Sequence, residues 1–305
     1  MNSERRPILL LVNPAAGGKI GSGPDLADDA EALEPERLAA ALRQRGLEIE
    51  LRELGPDDDA AALARAAADE RRDVVVAGGD GTVGAVAAAL CGVDVTLGIL
   101  ARGSFNNVAR GAGVPLELEP ALDAIERGRS ASIDAGVAIV DGTEERFFEA
   151  AGVGIDAEGF GAAEAGEDNR PLLMLRRTWR ALRRRRSPMR ITIDGKRYRT
   201  GAPAVTISNG PYHGFGFALS PEADPQDGQL DVAIFAGMSR LDVLLHFVRV
   251  ARHRPAREPR VIRRRAAELT IEGLRRQHPV HVDGRQAGET PATFRVDAGA
   301  LRIFR

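Results

Sequence analysis

Gly78-Gly79-Asp80-Gly81-Thr82 stands between a β-branched run, Asp73-Val74-Val75-Val76-Ala77, and a small apolar one, Val83 to Leu90. The first run has the composition of a buried strand, and the second suits a helix lying close against a sheet. Adjacent glycines let the chain turn with positive φ and let a ligand approach the backbone without meeting a Cβ. The N–H groups of such a turn and of the helix start converge, which favours an anion such as phosphate. Asp80 is out of place in a pure anion site. A carboxylate beside a phosphate cradle calls for a cation between them, and Mg2+ takes one or two carboxylates with phosphate oxygens and water. The same five residues also suit a tight turn in any α/β domain, so the rest of the chain must arbitrate.

Strands and helices alternate on either side of this turn. Residues 8–12 form an apolar strand that ends in Asn13-Pro14-Ala15-Ala16-Gly17-Gly18. Residues 34–45 have helical periodicity closed by Gly46, and residues 48–53 alternate as a strand. Asp57-Asp58-Asp59 can cap a helix over residues 60–69. A strand over 95–100 leads into Ala101-Arg102-Gly103-Ser104-Phe105-Asn106-Asn107. This alternation predicts a parallel sheet with crossover helices, in which ligands bind at the carboxyl ends of strands. The three unusual loops, 13–18, 78–82 and 103–107, all fall at such ends.

From residue 133 the texture changes to short strands, expected over 135–140, 146–152, 189–193, 204–208, 230–235, 267–272, 278–282, 293–296 and 300–304. Asp141-Gly142, Asp194-Gly195 and Asp283-Gly284 are hairpin signals. One helix is expected over 239–252. The fold class is therefore α/β plus β. Residues 1–132 make an N-terminal α/β domain with a parallel sheet, and residues 133–305 make an antiparallel β-rich domain. The segment from Leu172 to Arg190 sets Leu172, Leu173, Trp179 and Leu182 among arginines that include Arg183 and Arg184. Such a helix can lay its apolar face into a lipid interface with its arginines on anionic head groups. A basic surface helix or a nucleic-acid patch has the same composition.

Composition narrows the function classes. A chain of 305 residues, 44% hydrophobic and 28% charged, can build two ordinary domains. A net charge of −2 gives no global field that would recruit nucleic acid. Cys91 is the single cysteine, which excludes an internal disulfide and a thiolate cage and fits a reducing cytoplasm. No apolar leader opens the chain and no run has transmembrane length, so membrane contact is expected to be peripheral. Gly18-Lys19-Ile20 breaks the Walker A pattern, and the five histidines lack ligand spacing. The acids are more suggestive, because Asp80, Asp134 and Asp283 each follow an apolar run at or before a turn. Phosphoryl transfer needs a metal on the phosphates and a carboxylate to take a proton from the attacking hydroxyl.

At this point the chain resembles the diacylglycerol kinase catalytic-domain family, which includes bacterial soluble lipid kinases and the sphingosine and ceramide kinases. The resemblance rests on Asn13 to Gly17, Gly78 to Thr82 and Leu97 to Arg110. It continues through Ile133-Asp134-Ala135-Gly136, Ala151 to Asp156, Ser208-Asn209-Gly210, Pro221 to Val232 and Val282-Asp283-Gly284. It implies an ATP-binding α/β domain and a β-sandwich lipid-substrate domain, a two-domain plan that NAD kinases share, with the active site between them. Nucleotide would be held by Asn13, Gly78, Gly79, Asp80, Gly81, Thr82, Gly103, Ser104 and Asn106. Asp80 and Asp134 would reach the catalytic Mg2+, and Asp283 would be the general base. Asp227, with main-chain oxygens near Asp224 and Gln229, would hold a second Mg2+.

Four departures bear on activity. Val83, Gly84 and Ala85 replace a polar continuation of the glycine turn. Asn107 replaces an aspartate, Ala101 a proline, and Arg285 the glutamate after Asp283-Gly284. Losing an outer partner of a metal site typically costs 10–100-fold. The expected function is an ATP- and Mg2+-dependent lipid kinase, cytoplasmic and peripherally associated with an anionic membrane surface, with Trp179, Arg183 and Arg184 at the contact. The alternatives are a catalytically impaired relative that binds nucleotide or lipid, and a kinase of a sphingoid or other polar lipid. Edge strands of the second domain can pair two copies as a homodimer.

Overall fold

The computed structural model describes residues 5–16, 34–154, 187–214, 216–251 and 258–305. The chain divides into two compact units, Met1–Ile133 with Gly299–Arg305, and Asp134–Ala298. The return of residues 299–305 to the first unit differs from the expected boundary. The reason is pairing, since Arg302 and Ile303 run parallel to Thr96 and Leu97.

The first unit holds β1 (Ile8–Val12), α1 (Pro35–Gln44), β2 (Ile49–Glu53), α2 (Ala60–Asp69), β3 (Asp73–Gly78), α3 (Asp80–Leu90), β4 (Thr96–Ala101), α4 (Asn107–Gly111) and α5 (Leu118–Arg127). The strands pair in the order β2-β1-β3-β4, all parallel. β1 is buried at all five positions and β3 at five of six, which is why both read as unbroken apolar runs. Asp59 caps α2 by accepting the Ala62 N–H at 3.0 Å. Leu38, Leu42, Leu10, Val75, Leu122 and Ile125 share one core. The helix α5, not anticipated from the sequence, explains Gly98, where a Cβ would lie 2.8 Å from Val75 and 3.1 Å from Ile125.

The second unit is a β-sandwich. Its strands are β5 (Ser130–Val140), which enters from the first unit, β6 (Thr143–Phe147), β7 (Ala150–Gly154), β8 (Met189–Ile193), β9 (Lys196–Thr200), β10 (Ala204–Ser208) and β11 (Leu230–Phe235). The helix α6 (Arg240–Ala251) follows, then β12 (Val261–Ala266), β13 (Glu268–Gly273), β14 (Pro279–Val282), β15 (Arg285–Glu289) and β16 (Ala292–Phe304). One sheet is antiparallel in the order β12-β11-β10-β7-β14-β15. The facing layer pairs β8 with β9 and β13, β13 with β16, and β5 with β6 and β16. Phe147, Val153, Ile191, Ile207, Val280 and Phe294 fill the space between the layers.

The strand forecast fails at β9, β12 and β15, none of which was expected. Their sequences, KRYRT, VIRRRA and RQAGE, are charged and largely exposed. All three end a row of strands. An edge strand satisfies its ladder on one side only and carries charge that discourages further pairing, so its pattern looks like a loop. Residues 146–152, expected as one strand, instead end β6 and begin β7 with a break at Phe148-Glu149. The stretches 293–296 and 300–304 are one strand, β16.

Candidate active site

In the first unit the three unusual loops meet. Asn13 at the end of β1 donates its Nδ2 to the Thr82 hydroxyl at 2.8 Å, and its Oδ1 accepts the Ala15 N–H at 3.0 Å. Gly78 accepts the Arg102 N–H at 3.0 Å. A Cβ on Gly103 would lie 2.7 Å from the Gly79 Cα, so the loops touch backbone to backbone and only glycine fits. Asn106, at φ +51°, bonds Gly103 twice, accepting its N–H at 2.8 Å and donating to its carbonyl at 2.7 Å. Gly79, Asp80, Gly81 and Thr82 make the start of α3 with little side-chain bulk. Ser104 is exposed at the tip of the second loop.

Asp80 does more than the sequence suggested. Its Oδ1 accepts the Val108 N–H at 3.1 Å, so it caps α4 as well as opening α3. Burial raises its pKa, and the N–H groups of residues 106–108 pull it the other way. Arg102 was passed over in reading the motif. Its guanidinium is half-buried beside Gly103, with Nε and Nη1 lacking any hydrogen-bond partner, and burial lowers its pKa.

In the second unit the other candidates form a hydrogen-bonded chain. Asp141-Gly142, Asp194-Gly195 and Asp283-Gly284 are all two-residue hairpin turns with positive φ at both positions. Only Asp283 sends its carboxylate into backbone donors of another strand. Oδ2 accepts the Phe148 N–H at 3.0 Å, and Oδ1 accepts those of Glu149 and Ala150 at 3.1 and 3.0 Å. Burial raises its pKa to about 6, while these three bonds and the nearby His281 work against the rise. The Glu149 carbonyl accepts the N–H groups of Asn209 and Gly210. Asn209 Nδ2 donates to the carbonyl of Asp134 at 3.0 Å, and Asp134 Oδ2 accepts the Gly228 N–H at 2.8 Å. Asp134 was expected at a turn. It lies inside β5 and is buried, as are Ile133 and Ala135, whose side chains point to the opposite face of the strand. Asn209 and Glu149 were not picked as site residues, although Ser208-Asn209-Gly210 after an apolar strand was the signal available.

The acids can be tested against Mg2+. Among the described residues no three His, Cys, Asp or Glu side chains converge as a metal cage. A cation carried in by nucleotide phosphates would need only one or two hard carboxylates, and Asp80 is the carboxylate at the start of α3. The loop proposed for a second Mg2+ fits poorly. Asp224 Oδ1 accepts the Gln226 N–H at 3.1 Å, and Asp227 Oδ1 accepts the Gln229 N–H at 3.0 Å. The other Asp227 oxygen lies 3.4 Å from Arg265 Nη1, and Arg265 Nε lies 3.7 Å from Asp231. A guanidinium already stands against the carboxylate that would bind the ion. Arg285 pairs with Glu145 at the surface, and the Asp283 carboxylate takes its hydrogen bonds from backbone N–H groups instead. Trp179, Arg183 and Arg184 lie outside the described residues.

The diacylglycerol kinase catalytic domain matches residues 7–138, and the YegS C-terminal NAD kinase beta sandwich-like domain matches residues 150–305. A Diacylglycerol kinase of Mycobacterium tuberculosis is 29% identical over 278 residues, covering 87% of both chains. A protein of Pseudomonas aeruginosa named "Probable lipid kinase YegS-like" is 30% identical, covering 88% of this chain and 89% of its own. A crystal structure of a diacylglycerol kinase from Bacillus anthracis superposes with a TM-score of 0.72 at 23% identity, covering 99% of this chain and 98% of that one. That likeness shows the two-domain fold that the loops and sandwich display. Two domain models that together span nearly the whole chain, with a 30% identical relative covered over 88% of it, show that the chain belongs to the diacylglycerol kinase family of lipid kinases.

Proposed function

We propose that the chain transfers the γ-phosphoryl group of ATP to the hydroxyl of a membrane lipid of the diacylglycerol class. The observation that carries this is the Asp283 carboxylate, turned into the Phe148–Ala150 backbone with its pKa raised to about 6. A carboxylate so placed is mostly ionised at neutral pH yet basic enough to take a proton from an attacking alcohol. The lipid oxygen then bonds to the γ-phosphorus, the bond to the β-phosphate oxygen breaks, and ADP leaves with the electron pair. Backbone N–H groups at Gly79 to Thr82 would bind the phosphates, with the Gly79–Gly103 contact keeping side chains out of the cradle. A nucleotide-borne Mg2+ would neutralise phosphate charge there, with Asp80 as the carboxylate at hand. Peripheral contact with an anionic membrane belongs to the same reading, because the acceptor resides in a bilayer.

Purified protein given γ-labelled ATP, Mg2+ and a mixed lipid extract should yield labelled phospholipid. The Asp283→Asn variant should bind ATP normally and label nothing. Normal nucleotide binding without labelled lipid would favour a binding-only relative. A labelled sphingoid lipid in place of a glycerolipid would move the acceptor class.

A further inference from the structure

Among the described residues, the helix α6 carries two large hydrophobic side chains that are exposed, Leu241 and Leu245. Ser239 and Asp242 cap its start reciprocally, the Asp242 N–H donating to Ser239 Oγ at 3.1 Å and the Ser239 N–H to Asp242 Oδ2 at 2.7 Å. Its inner face is fixed by Val243, buried with Ala204, Ala233, Phe235 and Met238, and by His246, which meets the Phe235 ring edge-on at 5.6 Å. The opposite stripe, at i, i+4 and i+8, is Leu241, Leu245 and Arg249. Leu241 is 55% and Leu245 46% exposed. The neighbouring edge strand β12 pairs Arg263 with Ala233, which places Arg263 on the face that α6 covers. Asp242 and Glu258 are both paired with Arg260. Among the described residues, Arg249 on the helix and Arg263 on the adjoining edge strand are exposed and form no ion pair with an acid.

We infer that this face of α6 docks on an anionic lipid bilayer, Leu241 and Leu245 entering the interface while Arg249 and Arg263 meet head groups. The inference rests on the lipid-kinase reading, since an acceptor held in a bilayer must be reached from its surface. None of the described helices is long and apolar enough to cross a membrane. An interfacial helix with leucine on one face and arginine at its rim meets the physical requirement. Charge complementarity selects a bilayer over a second copy of the chain, which would bring the same arginines against each other.

The test uses the full chain with sedimenting vesicles of phosphatidylcholine, with and without phosphatidylglycerol. The wild type should bind the anionic vesicles, and binding should fall as salt screens the arginines. Leu241→Gln/Leu245→Gln should weaken binding roughly tenfold by removing apolar area that enters the interface. Both positions face outward, so melting temperature should not change, and Leu116→Gln, at an exposed leucine in the other unit, should bind like the wild type. Equal vesicle binding by wild type and double variant would overturn the inference, as would no vesicle binding by the wild type. So would a wild-type dimer in gel filtration that the double variant abolishes. Phosphorylation of a short-chain diacylglycerol in detergent micelles separates the two levels. Its absence in the wild type would sink the kinase reading alone, while its retention in a variant that has lost vesicle binding supports docking.

Discussion

Titrating Asp283 is the sharpest test of the site. Its pKa is raised from an ordinary 3.8 to about 6. A base with that pKa is about 10% ionised at pH 5, whereas one at the ordinary value is above roughly 90%. If Asp283 takes the hydroxyl proton, kcat/KM should fall about tenfold between pH 7.5 and pH 5, with a slope near one per pH unit below 6. Asp283→Asn should lower the rate by about 10²–10⁴-fold and abolish that limb. Saturating Mg2+–ATP and a micellar lipid acceptor, followed by phosphorus-labelled product, give the assay. A flat profile down to pH 5, or the same limb persisting in the asparagine variant, would refute the assignment. Stability supplies a second reading with a defined sign. The folded carboxyl holds its proton more tightly than the unfolded one, so its contribution is fully present below 3.8 and is lost as pH rises through about 6. That difference corresponds to about 3 kcal/mol. In the asparagine variant this slope should disappear, although one of the three N–H donors then faces an amide NH2 and costs about 1–3 kcal/mol.

Gly103→Ala should be among the most damaging single changes, since its Cβ would lie 2.7 Å from Gly79 Cα and 2.9 Å from Asn106 Oδ1. Isothermal titration should show nucleotide binding lost while the second unit stays folded by circular dichroism. Asp80→Ala removes the cap on α4 and should cost about 0.5–2 kcal/mol in denaturant melts. Asp80→Asn keeps an oxygen for the Val108 N–H and should recover most of that stability without recovering turnover. Arg102→Met should weaken ATP binding if the half-buried guanidinium meets a phosphate; unchanged affinity would remove Arg102 from the cradle. Arg265→Gln should make the melting temperature rise on adding Mg2+ without nucleotide, whereas the wild type should show no such rise. Arg285→Ala should leave turnover within about twofold, because the Arg285–Glu145 pair is exposed and such pairs contribute little.

Much of the first unit could be read from sequence. Its sheet is buried on both faces, so β1 and β3 are unbroken apolar runs, and the loops at their ends stand out by contrast. The second unit was read less well where strands lie at edges. Lys196 to Thr200 and Arg285 to Glu289 carry no apolar alternation, because an edge residue can face water on either side. The helix over 118–127 was missed although its buried stripe, Ala121, Leu122, Ala124 and Ile125, has helical spacing. Glu117 ahead of it offers no side-chain cap to mark the start.

The three Asp-Gly pairs show where local information ends. Sequence alone made each of them a two-residue turn, since only such residues accept positive φ cheaply at both central positions. Nothing within the turns distinguishes them. Folding chose Asp283, because residues 148–150, more than 130 positions earlier in the chain, bring three N–H groups to its carboxylate. Asp141 and Asp194 accept no such set. Turn conformation is set by neighbours along the chain, whereas burial and the proton affinity that follows from it are set by whichever backbone arrives from elsewhere.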